Sequence, residues 1–417
     1  MEDIIVGLDI GTCNTRVVIG LLHEDNNVEI IGVSQNPSEG VRNGVIVNID
    51  ACKNVIQKTI EDAELMAGVQ VVSVFTAIGG NQVESLNSRG NCCVDPSGKN
   101  RSIEISENTK ARAIESAKAV IIPSDKTLLH VIPQEYFVDG TSTQNPLKTF
   151  GVRLDACVHL VLASLTAYST IQECMSRANY YLNSIMLKTL ASTTATIHND
   201  EMELGSILID MGGGTTDVIV VKNNAPVFTA SIPVGGNLVT NDIAYLKGIP
   251  SSIAERIKIE SGACWCFGNE KNEEVIIPGV GGRGPETMTR YNLVEIIQPR
   301  VSEIFEMVRK EIVKKSNIGI IHGSIVLTGG GALMPGVVEL CQEIFETTSV
   351  RIGGCASMGV INECYREPDF ATAVGLVLVN KDFSSSQKSK KKARKFDSGE
   401  SASGFFSNVK RIFSDFF

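Results

Sequence analysis

The sequence predicts an α/β protein built from two similarly folded halves that close on a phosphate-bearing ligand, and three observations carry that prediction. Ile4 to Leu22 (IIVGLDIGTCNTRVVIGLL) and Ile207 to Lys222 (ILIDMGGGTTDVIVVK) repeat one pattern: an apolar strand, Asp-x-Gly at its end, a short turn, then a second apolar strand. Asp9 matches Asp210, Gly11 matches Gly212 and Thr15 matches Thr216 at a constant offset of 201. A third Gly-rich turn, Thr328 to Pro335 (TGGGALMP), follows the strand-like Ser324 to Leu327. With 417 residues, 43% hydrophobic and 20% charged, the chain has room for two or three domains and a large buried core.

Each element has a physical reason. The repeated strands are β-branched apolar runs, and the small residues between them let backbone N–H groups converge on a phosphate. An Asp at the strand end points into the cleft, where it can hold a magnesium ion through water. One Asp-x-Gly turn is an ordinary hairpin. Two in register from matching halves, followed by a third turn placed to lie under an adenosine, point to an ATP cleft. Between the repeats, Arg101 to Glu107 leads into an amphipathic helix over 107–121 and a strand around Leu128–Ile132, an α/β insert. Tyr291 to Lys310 (YNLVEIIQPRVSEIFEMVRK) has helical periodicity, and Gly279–Gly284 (GVGGRG) lacks the Lys-Ser/Thr of a phosphate loop and reads as a plain loop. His130 and His159 lie in strand-like apolar surroundings and are expected to be buried, satisfied imidazoles, and Trp265 is expected in a core. The eleven cysteines include no C-x-x-C pair, so reduced thiols of a cytosolic protein are expected. The acidic start, Met1-Glu2-Asp3, runs straight into a strand, so no secretory leader is expected.

The charge is unevenly placed. The formal net charge is −9, yet residues 384–417 hold eight Lys or Arg against three acids, leaving −14 on residues 1–383. A body this acidic is a poor nucleic-acid binder. Six of the eight residues from Lys388 to Lys395 are basic, in a Ser-rich linker over 384–403. Beyond it, at 100° per residue, Phe405, Phe406, Val409, Ile412, Phe413, Phe416 and Phe417 fall within an arc of about 140°, with Lys410 and Arg411 on the opposite side. A terminal amphipathic helix over 404–417 on a basic tether reads as one that lies in a membrane interface facing anionic headgroups. Seven partly buried apolar side chains at about 1 kcal/mol each, offset by helix ordering, make a reversible anchor. Several such tails on one polymer would bind firmly.

The ordered set LDIGTCNT, LIDMGGGTTD and LTGGGALMPG resembles the phosphate-1, phosphate-2 and adenosine motifs of the actin, sugar-kinase and Hsp70 superfamily. Within it, the stretches EGVRNGVIVNI (39–49), LLHVIPQEYFVDG (128–140), FGVRLDACVHLV (150–161), VGGNLVTNDIA (234–244) and AERIK (254–258) resemble the FtsA family of bacterial cell-division proteins. The resemblance runs from Met1 to about Val379 and resumes at the terminal helix. It implies an actin-like (RNase H-like) two-domain ATPase fold with an FtsA-type 1C insertion, the SHS2 module, and the C-terminal amphipathic helix. Subdomain 1A would occupy 1–83 and 163–199, 1C 84–162, 2A 200–235 and 306–380, and 2B 236–305.

By the same resemblance, Asp9 and Asp210 would position magnesium and the attacking water. Gly11, Thr12, Cys13 and Asn14 with Gly212, Gly213, Gly214 and Thr215 would grip the phosphates. Gly329, Gly330, Gly331 and Met334 would line the adenosine, and Glu255 and Lys258 would contact the nucleoside, although alone they read as a solvated i,i+3 pair. Hsp70-type ATPases carry an acid in a Glu-Pro-x-Ala segment where this chain has Lys188-Thr189-Leu190-Ala191-Ser192. With that carboxylate gone, tight ATP binding with at most slow turnover is expected. The implied partners are the C-terminal peptide of FtsZ on 2B, with Arg300 and Glu303 facing it, further copies of the chain in a filament, later division proteins, and the cytoplasmic side of the cytoplasmic membrane at the septum. The competing readings are a sugar-type kinase, for which no sugar-pocket carboxylate is evident and which has no use for a phenylalanine-rich tail; an Hsp70-like chaperone, which would carry a separate β-rich substrate domain after the ATPase; and a pilus-assembly relative, which would share the cleft and from which the terminal helix and basic linker distinguish this chain.

Overall fold

The computed structural model describes residues 3–97, 101–279, 281–282, 284–315, 323–356, 358–359 and 363–381. The predicted linker and terminal helix, with Phe405 through Phe417, therefore lie outside the described residues.

Two five-stranded sheets organise the chain, and they have the same topology. The first runs in the order Tyr181–Leu187, Ser73–Ile78, Asp3–Ile10, Asn14–Leu22, Val28–Pro37. The second runs Val350–Ile352, Ile325–Thr328, Ser206–Met211, Thr216–Lys222, Ala225–Ile232. In each, the central strand pairs antiparallel with the next strand in sequence and parallel with the fourth. The repeat seen as an offset of 201 is thus a duplication of a whole sheet. Both central hairpins are apolar on both faces, as in Val17, Val18 and Ile19, because each sheet is covered on both sides.

The covering helices follow their sequence. Ile49–Ala67 starts at Asn48, whose side chain accepts from Ala51 N, and stops at Gly68 in the left-handed region; its buried stripe is Cys52, Ile56, Ile60 and Ala63. Two other helices join the halves. Lys188–Thr196 leaves the last strand of the first sheet, and Ala371–Val379 returns to pack on the Asp3–Ile10 strand. They meet at Gly375, where a Cβ would stand 1.8 Å from Ala191 O, and at Ser192 Oγ···Thr372 Oγ1, 2.9 Å. Only glycine allows that approach.

The insert is a four-stranded sheet, Thr141–Thr143, Lys126–Val138, Arg153–Ser164, Val83–Cys93, backed by the helix Glu107–Lys118. That helix ends at Lys118 rather than at 121, because Ala119 leaves helical backbone (φ −74°, ψ 56°) and its N–H turns back to Ser116 O. The root of the insert is bonded to the edge strand of the other half. Ser85 Oγ donates to Thr229 O (2.9 Å), Asn87 Nδ2 to Val227 O (2.9 Å) and Gln134 Nε2 to Pro226 O (2.8 Å). His159 is buried and satisfied, with Nδ1 2.7 Å from Asn87 Oδ1 and Nε2 3.1 Å from Thr229 Oγ1. His130 departs from expectation. Its Nε2 accepts from Leu187 N at 2.9 Å, which puts the proton on Nδ1, and buried Nδ1 has no partner.

Beside the second sheet stand the helices Gly236–Lys247, Ser251–Ser261 and Arg290–Lys315 and the hairpin Glu274–Ile277/Glu286–Thr289. Trp265 is partly buried against their shared core.

Candidate functional site

The two repeated turns face each other across a cleft of about 530 Å³ between the halves. Each turn closes with the same bond: Gly11 N donates to Asn14 O at 3.1 Å, and Gly212 N to Thr215 O at 2.9 Å. Asp9 and Asp210, each ending its strand, are buried with 5% and 2% exposure. Every predicted phosphate, nucleoside and metal residue lines this cleft except Gly214. Gly214 sits behind it, where a Cβ would be 2.7 Å from Asn43 Cα. That Asn43-Gly44 tip belongs to a small hairpin, Val41–Arg42/Val45–Ile46, and Gly44 N donates to Thr12 Oγ1 at 2.9 Å.

The first turn also touches the second half across the gap, since Cys13 Sγ lies 3.1 Å from Asn237 Oδ1 on the helix Gly236–Lys247. The third turn begins at Gly329 with φ 79°, and a Cβ there would stand 2.4 Å from Asp210 Oδ1. Any side chain would be strained and would collide with the carboxylate. Glu255 and Lys258 are not a solvated pair. Lys258 Nζ bonds Glu255 Oε2 (2.7 Å), Thr240 Oγ1 (2.9 Å) and Gly236 O (3.2 Å), tying the AERIK helix to the start of its neighbour.

The structure adds residues that sequence reasoning missed. Lys188, read only as a missing carboxylate, extends its ammonium to 3.3 Å from Asp210 Oδ2. Asp217 is buried, its Oδ1 accepting from Gly80 N (2.9 Å) and its Oδ2 from Thr215 Oγ1 (3.2 Å). The offset of 201 applied to Arg16 lands on Asp217, a signal that was available. Gly79-Gly80 follows the fourth strand of the first sheet as Gly329-Gly330 follows that of the second, a fourth turn in the same position. Arg16 bonds Gln35 and reaches Asp369 at 2.5 Å.

Electrostatically the cleft is a carboxylate cluster. Burial pushes Asp9 and Asp217 up from the ordinary aspartate value, against the pull of Lys188. Burial works to lower Lys188, but Asp210, Asp9 and Asp217 together outweigh it and hold the lysine above its usual range. With Arg16 committed to Asp369, three carboxylates face one ammonium, two positive charges short when all three are ionised. Asp210 Oδ1 is buried and without a hydrogen-bond partner. An all-oxygen donor set short of two positive charges, with a free carboxylate oxygen at its centre, fits a hard divalent cation. No group of three or more His, Cys, Asp or Glu stands ready to ligate a metal directly among the described residues, so such an ion would be held chiefly through water and ligand oxygens.

Arg300 and Glu303 lie on Arg290–Lys315, away from the cleft. Arg300 makes a bidentate pair with Asp242 (2.6 and 3.1 Å) and a close pair with Glu303.

A sequence profile described as "Cell division protein FtsA" matches residues 207–375, and one described as "SHS2 domain inserted in FTSA" matches residues 80–162. The chain is 40% identical over 396 residues to the cell division protein FtsA of Borreliella burgdorferi, covering 94% of this chain and 95% of that one. It is 35% identical over 387 residues to that of Escherichia coli, covering 91% and 90%. Solved structures share the fold at low identity. A PilM–PilN type IV pilus biogenesis complex chain matches with TM-score 0.62 and 16% identity, covering 90% of this chain and 97% of that one. MreB5 of Spiroplasma citri bound to ADP matches with TM-score 0.56 and 14% identity, covering 92% and 98%.

Proposed function

The chain belongs to the FtsA family of cell-division proteins, with the actin-like fold and SHS2 insert of that family, and from that premise we propose that its cleft takes ATP with Mg²⁺. The observation carrying this is the pair of matched Asp-x-Gly turns facing one another over a carboxylate cluster two positive charges short, with the Gly329 turn at its side. Mg²⁺ would screen the phosphates, held near Asp9 and Asp210. Backbone N–H groups of the two turns would grip the phosphates, and Gly330, Gly331 and Met334 with the Glu255–Lys258 pair would flank the nucleoside. No water-orienting acid stands at position 188, so the nucleotide would act as a closing switch between the halves more than as fuel.

On this reading, protomers polymerise, and the segment 404–417 seats the polymer on the inner face of the cytoplasmic membrane at the septum. No helix among the described residues is long and apolar enough to cross a membrane. The polymer would tether the FtsZ ring through the FtsZ C-terminal peptide, on the surface bearing Arg300 and Glu303, and the insert would meet later division proteins. Calorimetry with ATP and Mg²⁺ tests the cleft: saturable heat is expected, and none would refute it. Sedimentation with anionic vesicles, with and without residues 404–417, tests the anchor. Equal sedimentation of both forms would remove it.

A further inference from the structure

Among the described residues Lys188 is the cation that faces Asp9, Asp210 and Asp217 together, and it arrives from an unusual place. It is the first residue of the helix Lys188–Thr196 that carries the chain from one half to the other. The root of its side chain is fixed: a Cβ on Gly79 would lie 3.2 Å from Lys188 Cβ. Its far end abuts the second phosphate turn, 4.0 Å from where a Cβ on Gly212 would be. Among the described residues its one ion pair within 4.0 Å is the 3.3 Å contact with Asp210. The side chain is 18% exposed, and that exposure opens into the cleft it lines.

We propose that Lys188 distinguishes a nucleoside triphosphate from a diphosphate in this cleft, its ammonium passing from Asp210 to the terminal phosphate. This rests on the reading of the cleft as a nucleotide site. An incoming divalent cation and Lys188 compete for the same carboxylate, because Asp210 Oδ1 is buried and Oδ2 is the oxygen that the lysine holds. When the cation takes Asp210, the displaced ammonium needs another anion within its short tether, and the phosphate beyond the second turn supplies one. A diphosphate ends before that point and offers the displaced ammonium no such partner. Because Lys188 also begins the crossing helix, the transfer pulls on the element that joins the halves, so the discrimination reaches the angle between them.

The test measures binding of ATP and of ADP to the full chain by calorimetry, with Mg²⁺ and with EDTA, for wild type, K188M and K188R. Thermal unfolding by circular dichroism establishes that each variant is folded. K188M is expected to lose ATP affinity about ten- to a hundred-fold while ADP affinity changes less than about threefold, the worth of one charge-assisted contact. K188R, which keeps a cation, is expected to retain most of the preference. Equal losses for both nucleotides would make Lys188 a structural counter-ion and overturn the proposal, as would an unchanged ratio in folded K188M. Should K188M fail to fold, the same ratio read in D217N and D217N/K188M decides, since one buried carboxylate fewer then needs balancing. A wild type that binds neither nucleotide overturns the site reading itself and this proposal with it, whereas wild-type binding with an unmoved ratio overturns this proposal alone.

Discussion

The two hairpins that face each other across the cleft share their register and differ in charge at one cross-strand position. Opposite Asp9 stands Arg16; opposite Asp210 stands Asp217. In the first half the guanidinium is held by Gln35 and Asp369 and lies 5.4 Å from the centre of the Phe370 ring, so the cross-strand position carries a cation of its own, already paired within that half. In the second half a further carboxylate replaces the cation, and positive charge has to come from elsewhere: Lys188 on the crossing helix, with the Gly80 N–H from the facing half. One scaffold used twice has become a half whose cross-strand position carries a cation and a half that depends on what other elements bring. The dependent half carries the free carboxylate oxygen.

The comparison can be broken most severely where the halves join. Gly375→Val would drive a side chain into Ala191 O, and separating the two helices should cost more than about 3 kcal/mol, read as a lost or strongly lowered unfolding transition. A melting temperature within a few degrees of wild type would show that the contact is not needed. Next comes the charge asymmetry. Arg16→Ala strands Asp369 and should cost about 3 kcal/mol, whereas Asp217→Asn relieves repulsion as it loses an acceptor and should stay within about 1 kcal/mol. Equal losses in denaturant unfolding would erase the distinction.

Acid sharpens the contrast between the cleft and the insert. Burial lowers His130 to about 3 and His159 to about 4 from 6.5. The folded insert refuses protons that the unfolded chain accepts, so what these groups contribute is intact above pH 6.5 and is lost as pH falls toward 4. Asp9 and Asp217 are shifted up, so above pH 3.8 the folded cleft takes protons first, and mild acid relieves it. Amide exchange in nucleotide-free protein, corrected for intrinsic rates, should show protection falling in Arg153–Ser164 but not in Ser206–Met211 from pH 7 to about 5. Parallel changes would contradict the assignment. The smallest effect lies outside the cleft. Asp242→Ala frees Arg300 at a cost of about 1 kcal/mol or less, because the pair is partly exposed. It should instead alter binding of an FtsZ C-terminal peptide, measured by fluorescence anisotropy, if Arg300 faces that peptide.

What could be read from the chain was whatever lies close together along it. The Asp-x-Gly hairpins and the Gly329 turn are local patterns with strict spacing, so the duplication, the cleft and its facing carboxylates were legible. Lys188 is not legible as a cleft residue, because the local pattern there shows only that the acid of a Glu-Pro-x-Ala segment is absent. Its nearness to Asp210 follows from where the crossing helix starts, a consequence of topology. Asp217 and Gly80 hydrogen-bond across 137 residues, beyond any motif, though the repeat offset pointed at the first of them. Apolar flanks revealed that His130 is buried and could not reveal that one ring nitrogen is left without a partner. The apolar periodicity runs on to Ile121, whereas the helix stops at Lys118 because Ala119 leaves helical backbone, which no side-chain pattern announces.

The insert grows from the first half and is fastened by Ser85, Asn87, Gln134 and His159 to the edge strand of the second. A bracket screwed to both leaves of a hinge cannot stay still when the hinge turns: either the screws shear or the bracket swings. The strand Lys126–Val138 has 13 residues, roughly 43 Å at strand rise. If the screws hold, any turn of the hinge is carried to the outer end of the insert and enlarged there in proportion to that length.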